Sequence, residues 1–229
     1  MLQCSGSNWM YFSSFPSVLF VILLINRGSK SFRCYTCNTD IDTFLNLITA
    51  IDFEYPFIQL SQIGSMNLLV LGSGGCTLIP RPGCTCEVCR EAREKGIPHA
   101  RTGPSLFLED INALFDTPEE ISSQLNRENI KTVDYIFYTH WDPDHTMGMR
   151  IVEQMNMFFL AALVERKKPS KSIKICALPE VLDDIKAIKN KYGPYLDYYE
   201  RCGLISLVTL KKGTPLKIGD LEITPVPVE

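Results

Sequence analysis

Seven consecutive residues, Thr139-His-Trp-Asp-Pro-Asp-His145, constrain this chain more than any other feature. They hold four potential metal ligands, His140, Asp142, Asp144 and His145, and directly follow the apolar run Val133-Asp-Tyr-Ile-Phe-Tyr138. That run reads as a strand. A strand end is where a rigid scaffold hands side chains to a loop, so imidazoles and carboxylates can converge there on one point. Pro143 and Gly148 are expected to keep the segment out of regular helix until about Met147. Imidazole nitrogen and carboxylate oxygen suit zinc, manganese or iron(II). The competing reading is a polar turn whose acids cap the next helix, a role open to Asp144. Two of only three histidines in the chain fall here, interleaved with acids, which favours the metal reading.

A second cluster, Gly83-Cys-Thr-Cys-Glu-Val-Cys89, belongs to a chain with nine cysteines. Cys86 and Cys89 stand three apart at the start of a helix expected to run to Gly96, so they share a face, and Cys84 enters from the loop. Three sulfurs are then within reach of one tetrahedral ion. Disulfides are a poor alternative, because thiols this close in sequence cannot easily satisfy the bond geometry and three cannot pair among themselves. A chance grouping of buried thiols is the other alternative. The expectation is a structural zinc on Cys84, Cys86 and Cys89 that pins the glycine-rich first loop.

The elements around these motifs alternate. A short apolar start, Met66-Asn-Leu-Leu-Val-Leu-Gly72, runs into Gly72-Ser-Gly-Gly75. Strands are expected at 105–109 and 111–115, then a polar helix from Asp116-Thr-Pro to about Asn126, then 133–138. A helical period follows at 147, 151, 152, 155, 158, 159, 162 and 163. Next come a buried strand from Ile173 to Ala177 and a helix from Pro179 with Val181, Leu182, Ile185 and Ile188 on its apolar face. Short strands at about 205–210, 215–218 and 221–228 close the chain, with Gly219-Asp220 as a turn. This order indicates an α/β sandwich. With 45% apolar residues the chain can bury a core, and a net charge of −3 leaves no basic footprint for long-range nucleic-acid binding. Tyr192, Tyr195, Tyr198 and Tyr199 read as helix-packing and surface tyrosines, and Lys167 to Lys171 as a solvated loop.

Residues 1–65 read differently from residues 66–229. Their apolar run Val18–Ile25 is short for a bilayer span, and no basic residue precedes Arg27, as a secretory signal would need. The expectation is an N-terminal extension of doubtful structure, with Met66 as the natural start. A marginal anchor and a half zinc site or redox pair at Cys34 and Cys37 stay open.

The loop from His140 to His145 resembles the His-x-His-x-Asp-His signature of the metallo-β-lactamase fold superfamily. His140, Asp144 and His145 stand at signature positions, while Asp142 stands where the second histidine is usual. The resemblance covers about residues 66–229. It implies an αββα sandwich, incomplete, with the first half and part of the second present. It also implies two divalent metal ions (zinc, manganese or iron), His140 and residue 142 serving one and Asp144 and His145 the other. Aspartate at 142 would retune the first site, and Asp116 resembles an acid lying just behind the metal ligands, with a helix-capping role equally open. Gly72-Ser-Gly-Gly75 followed by the cysteine cluster is similar to phosphodiesterases that open phosphoribosyl cyclic phosphates, near the tRNA 3′-processing endonucleases. There the fourth structural ligand is a late histidine. No histidine follows residue 145, leaving Cys76 or His99 to substitute.

The function this resemblance implies is hydrolysis of a small cyclic phosphate or other phosphodiester by metal-activated water, with Asp144 as ligand and orienting group. It also implies further ligands beyond Glu229, so the expectation is a C-terminally truncated hydrolase. Such a chain would fill its cysteine site with zinc, fill its histidine site poorly and turn over little. Alternatives are an RNA-processing nuclease of the same superfamily and a non-catalytic, zinc-stapled binding module. The expected setting is cytoplasmic, with a small phosphorylated substrate and no membrane association. A homodimer stays open.

Overall fold

The computed structural model describes residues 67–156, 164–165, 169 and 171–226, and the backbone of three strands within residues 21–61. Cys37, Met66, the late helical-period positions 158, 159, 162 and 163, most of the Lys167–Lys171 group and residues 227–229 lie outside the described residues. So do most of the flanks of the early apolar run.

A seven-stranded mixed sheet forms the centre. Its strands are β2 (Phe32–Cys34), β4 (Leu68–Gly72), β5 (Ser105–Leu108), β6 (Ala113–Phe115), β7 (Tyr135–Phe137), β8 (Ile173–Ala177) and β11 (Ile205–Thr209), in the spatial order β11-β8-β7-β6-β5-β4-β2. β6, β7, β8 and β11 run parallel, whereas β5 is antiparallel to both its neighbours. Parallel neighbours cannot be joined by a hairpin, so helices make the crossovers. Helix α2 (Ile121–Arg127) joins β6 to β7, and the short helices α3 (Pro143–Thr146) and α4 (Ile151–Gln154) lie between β7 and β8. Helices α5 (Pro179–Lys186) and α6 (Tyr195–Arg201) lie between β8 and β11, separated by the two-residue strands β9 (Lys189–Asn190) and β10 (Gly193–Pro194).

Alternation along the strands divides the core in two. Leu69, Leu71, Phe107, Leu114, Ile136, Ile173, Ile175 and Ala177 point to the helical face. There they meet Ile121 and Leu125 of α2, Ile151 and Val152 of α4, Val181, Leu182 and Ile185 of α5, and Leu196 and Tyr199 of α6. The intervening Leu68, Leu108, Ala113, Phe115, Phe137 and Cys176 point the other way and pack with Leu221 and Ile223. Those two belong to β13 (Leu221–Val226), which pairs antiparallel with β12 (Leu216–Ile218) and with β3 (Phe57–Ser61), itself parallel to β1 (Val21–Leu24). The second sheet therefore covers the face that the helices leave bare. Burying one aliphatic side chain such as Ile136 contributes roughly 1.5–3 kcal/mol, so this two-sided alternation dominates what holds the sheet together.

Local signals set the helix limits. α1 (Glu87–Lys95) stops at Gly96, whose φ of 66° a side chain would resist. Pro179 occupies the first turn of α5, where its missing N–H costs nothing. The same rule corrects one expectation: Pro143 opens α3 rather than delaying helix to Met147. The strands expected at 105–109 and 111–115 are shorter where they face each other: the first ends at Leu108 and the second starts at Ala113, with a single 3-10 turn, Glu109–Ile111, between them. The helix expected from Asp116 starts at Ile121, because residues 116–120 take up the loop described below. Among the described residues no helix is long and apolar enough to cross a membrane.

Candidate metal centre

Because β6 and β7 are parallel neighbours, the residues that follow them emerge at the same edge of the sheet. Asp116 leaves β6 there and Tyr138 to His145 leave β7. Asp116 takes a left-handed backbone conformation, φ 58°, which aspartate tolerates better than most residues. Its N–H donates to Phe137 O at 2.9 Å, and the Ser105 hydroxyl lies 3.0 Å from its carbonyl. The loop is tied to β6 through Thr117, whose N–H donates to His145 O and whose carbonyl accepts from the N–H of Gly148, both at 2.8 Å. Gly148 is required by this approach: a Cβ there would sit 2.1 Å from Pro118 O.

These clamps gather the predicted side chains. His145 Nδ1 lies 2.6 Å from Asp116 Oδ2, with both groups almost fully buried. Thr139 donates its N–H to Asp116 Oδ1 at 3.1 Å, and its hydroxyl lies 2.9 Å from Oδ2 and 2.9 Å from His140 Nδ1. The two imidazoles are 3.9 Å apart between centroids. Each Nδ1 is therefore engaged, and each Nε2 faces an aspartate. His140 Nε2 is 3.6 Å from Asp142 Oδ2, and His145 Nε2 is 3.4 Å from Asp144 Oδ2. Ligand atoms of Asp116, His140 and His145 also lie within 4.8 Å of one another. Asp116 is not the cap of α2, whose N-cap is Glu120. Asp142 stands at the N-cap of α3 but makes no capping hydrogen bond with its side chain, which stays turned to the imidazole.

The charges are matched to a cation. Burial pulls the His145 imidazole down, but the Asp116 and Asp144 carboxylates outweigh it and raise the pKa to about 9. His140 is pushed below its ordinary value by burial and by the neighbouring His145 charge, with the nearby carboxylates opposing. The hydrogen bond from His145 holds Asp144 below the usual carboxylate range. A protein without metal thus keeps a proton where an ion would be expected to compete for it. The donor types gathered here, two imidazoles with carboxylates beside them, are those that divalent ions of the zinc, manganese or iron class take, and the tightest group of ligand atoms among the described residues is that of Asp116, His140 and His145.

The cysteine cluster is likewise gathered. Cys86 is the N-cap of α1, and Cys84, Cys86 and Cys89 bring their sulfurs within 4.8 Å of one another, Cys84 and Cys86 at 3.3 Å. Arg93 braces the loop by donating to Cys84 O at 2.6 Å and to Arg81 O at 2.7 Å. Hydrogen bonds from the Cys86 backbone and from the Cys86 and Cys89 side chains lower the Cys84 thiol to about 6, and the Arg81 guanidinium adds to them. The Arg81 backbone pulls Cys89 down, but burial and the neighbouring sulfurs raise it overall. Neither Cys76 nor His99 joins this group; His99 instead faces Glu91 at 3.5 Å. Three thiols suit a zinc ion with a fourth ligand from elsewhere.

Sequence reasoning missed the supporting residues Thr117, Thr139 and Ser105. A hydroxyl beside a ligand motif was the available signal, but its partners come from another strand. Tyr192 is exposed, whereas Tyr199 on α6 is buried in the helical-side core.

No family model matches the chain. A curated relative, an octanoyltransferase of Porphyromonas gingivalis, is 25% identical over 163 residues, 70% of this chain and 30% of that protein. Among solved structures, a diphosphatase from the PhnP family is 23% identical, with a TM-score of 0.49 over 70% of this chain and 54% of its own. Zinc-bound PqqB from Methylobacterium extorquens is 15% identical, with a TM-score of 0.45 over 66% of this chain and 51% of its own. Human tRNase Z, short form, is 18% identical, with a TM-score of 0.35 over 63% of this chain and 44% of its own. The chain spans about half the length of these solved relatives and under a third of the curated one. The His140–His145 signature sits at the end of a central parallel strand, an acid from the adjacent strand supports it, and a second sheet covers the face away from the helices. Those features match the mixed α/β sandwich expected from the resemblance to the metallo-β-lactamase fold superfamily.

Proposed function

We propose that the chain belongs to a metal-dependent hydrolase acting on a small phosphodiester, a cyclic phosphate among them, through a divalent metal centre at the end of β7. The observation that carries this reading is the pairing of each Nε2 with an aspartate while each Nδ1 is engaged from behind. His140 with Asp142, and His145 with Asp144, would hold the ions. Bound ions of this class lower the pKa of water toward neutrality and neutralise phosphoryl oxygens. Asp144 stays ionised under the influence of His145, so one of its oxygens can accept a proton-bearing water and fix its direction of approach. Asp116 keeps both imidazoles in place during the reaction rather than touching substrate.

Cys84, Cys86 and Cys89 are proposed to hold a structural zinc that stiffens the loop after β4. Free thiols at Cys76, Cys84, Cys86, Cys89, Cys176 and Cys202 accord with a cytoplasmic setting. A phosphodiester is favoured over RNA because a net charge of −3 supplies no extended electropositive track. Octanoyl transfer, the activity named for the curated relative, is not carried over from a match to 30% of that protein.

The test is turnover of a chromogenic phosphodiester with added manganese or zinc, by the chain and by His140→Ala and Asp144→Ala. The reading expects slow, metal-dependent release of nitrophenol that either substitution removes. Release that persists in both variants would reject the assignment.

A further inference from the structure

Thr139 lies between the two halves of the metal centre, and its hydroxyl is what engages His140 from behind. Its hydroxyl has one proton and two neighbours that compete for it. Asp116 Oδ2 lies at 2.9 Å and Oδ1 at 3.1 Å, and His140 Nδ1 lies at 2.9 Å. An ionised carboxylate only accepts hydrogen bonds, and charge makes it the stronger acceptor. The Thr139 proton therefore goes to Asp116, and the hydroxyl lone pair is left for His140. A lone pair facing Nδ1 requires Nδ1–H, and a neutral imidazole protonated at Nδ1 has its own lone pair at Nε2.

We propose that Thr139 is a positioning residue that extends the reach of Asp116 to the second imidazole. Asp116 takes Nδ1–H of His145 directly, at 2.6 Å, and takes Nδ1–H of His140 through the Thr139 hydroxyl. One buried carboxylate then holds Nδ1–H in both rings, and both Nε2 atoms are left turned toward the aspartates of the loop. The Thr139 N–H, donating to Asp116 Oδ1 at 3.1 Å, fixes the carboxylate on its other side, so the relay cannot rotate away. A histidine that ligates metal commonly has its remaining N–H so held, and removing such a partner weakens metal binding by roughly 10–100-fold.

The consequence for affinity rests on the metal reading above, but the tautomer does not. The first measurement is therefore nitrogen-15 NMR of the metal-free, histidine-labelled full chain at mildly alkaline pH, with His140 assigned by its absence in His140→Ala. Nδ1–H at His140 is expected; a predominant Nε2–H tautomer would overturn the proposal. The second is metal titration of Thr139→Val and Thr139→Ser. Valine, which keeps the shape, is expected to lose roughly 10–100-fold in affinity at the histidine site, with the cysteine site unchanged, and serine to restore it. Wild-type affinity in the valine variant would also overturn the proposal. If that variant fails to fold, the wild-type tautomer decides alone. A chain with the expected tautomer that takes up no metal at the histidine site would refute the metal reading and uphold the relay.

Discussion

Replacing Asp116 with asparagine isolates what its charge does in the metal-free protein. Asparagine keeps the shape and tolerates the left-handed backbone at 116, φ 58°, so neither packing nor strain changes much. What changes is the environment of His145. A rise in its pKa from 6.5 to about 9, at 1.36 kcal/mol per pH unit, corresponds to about 3 kcal/mol of stability. Because the folded pKa is the higher one, that contribution is complete below pH 6.5 and is lost as the pH rises through about 9. In Asp116→Asn only Asp144, 3.4 Å from Nε2, remains to oppose the effect of burial. The variant should lose about 2–3 kcal/mol in mildly acid solution and distinctly less in alkali, where His145 is neutral in both proteins. Urea unfolding of the two metal-free chains across that range measures the difference directly. An equal loss at both ends of the range, or no loss in acid, would refute the Asp116–His145 coupling.

Three further predictions probe other parts of the molecule. Gly148→Ala drives a Cβ to 2.1 Å from Pro118 O and should lower thermal stability by at least about 1–3 kcal/mol, with metal uptake impaired, as a melting curve and a metal titration would show. Ile136→Ala empties a fully buried position facing the helices and should cost about 2–5 kcal/mol in urea unfolding with the metal-site loop intact. In native chain, burial pushes Cys176 up to about 12 and should keep it inert to a thiol reagent, whereas Cys84, lowered to about 6, should react readily and be protected by zinc; mass mapping of the labelled residues checks both.

The parts of this account that were legible in the sequence are those that depend on neighbours along the chain. Alternation in Ile173-Lys-Ile-Cys-Ala177 and the i, i+3, i+4 spacing of Val181, Leu182 and Ile185 gave the strand and helix, because each element buries its own periodic face. The His140–His145 loop and the three cysteines were equally visible, since their ligands lie within a few residues of one another. Pro143 misled: read as a breaker, it is a first-turn proline in α3. The course of residues 116–120 was not legible either. Asp116-Thr-Pro looks like a helix start, but Asp116 is held by Phe137 and Ser105, and Thr117 by His145 and Gly148, all from other strands or loops. The role of Thr139 is hidden for the same reason, because its meaning depends on a carboxylate 23 positions away.

The central proposal is that this chain can hold metal at two chemically distinct sites, one of thiolates and one of imidazoles with carboxylates. Cobalt(II) titration followed by absorption separates them, because thiolate ligation gives intense charge-transfer bands and nitrogen–oxygen ligation only weak ligand-field bands. The account predicts both signatures in the wild-type chain, the thiolate bands alone in a His140→Ala/His145→Ala variant, and the ligand-field bands alone when Cys84, Cys86 and Cys89 are replaced by serine. A histidine variant that binds cobalt with the wild-type spectrum and stoichiometry would contradict it.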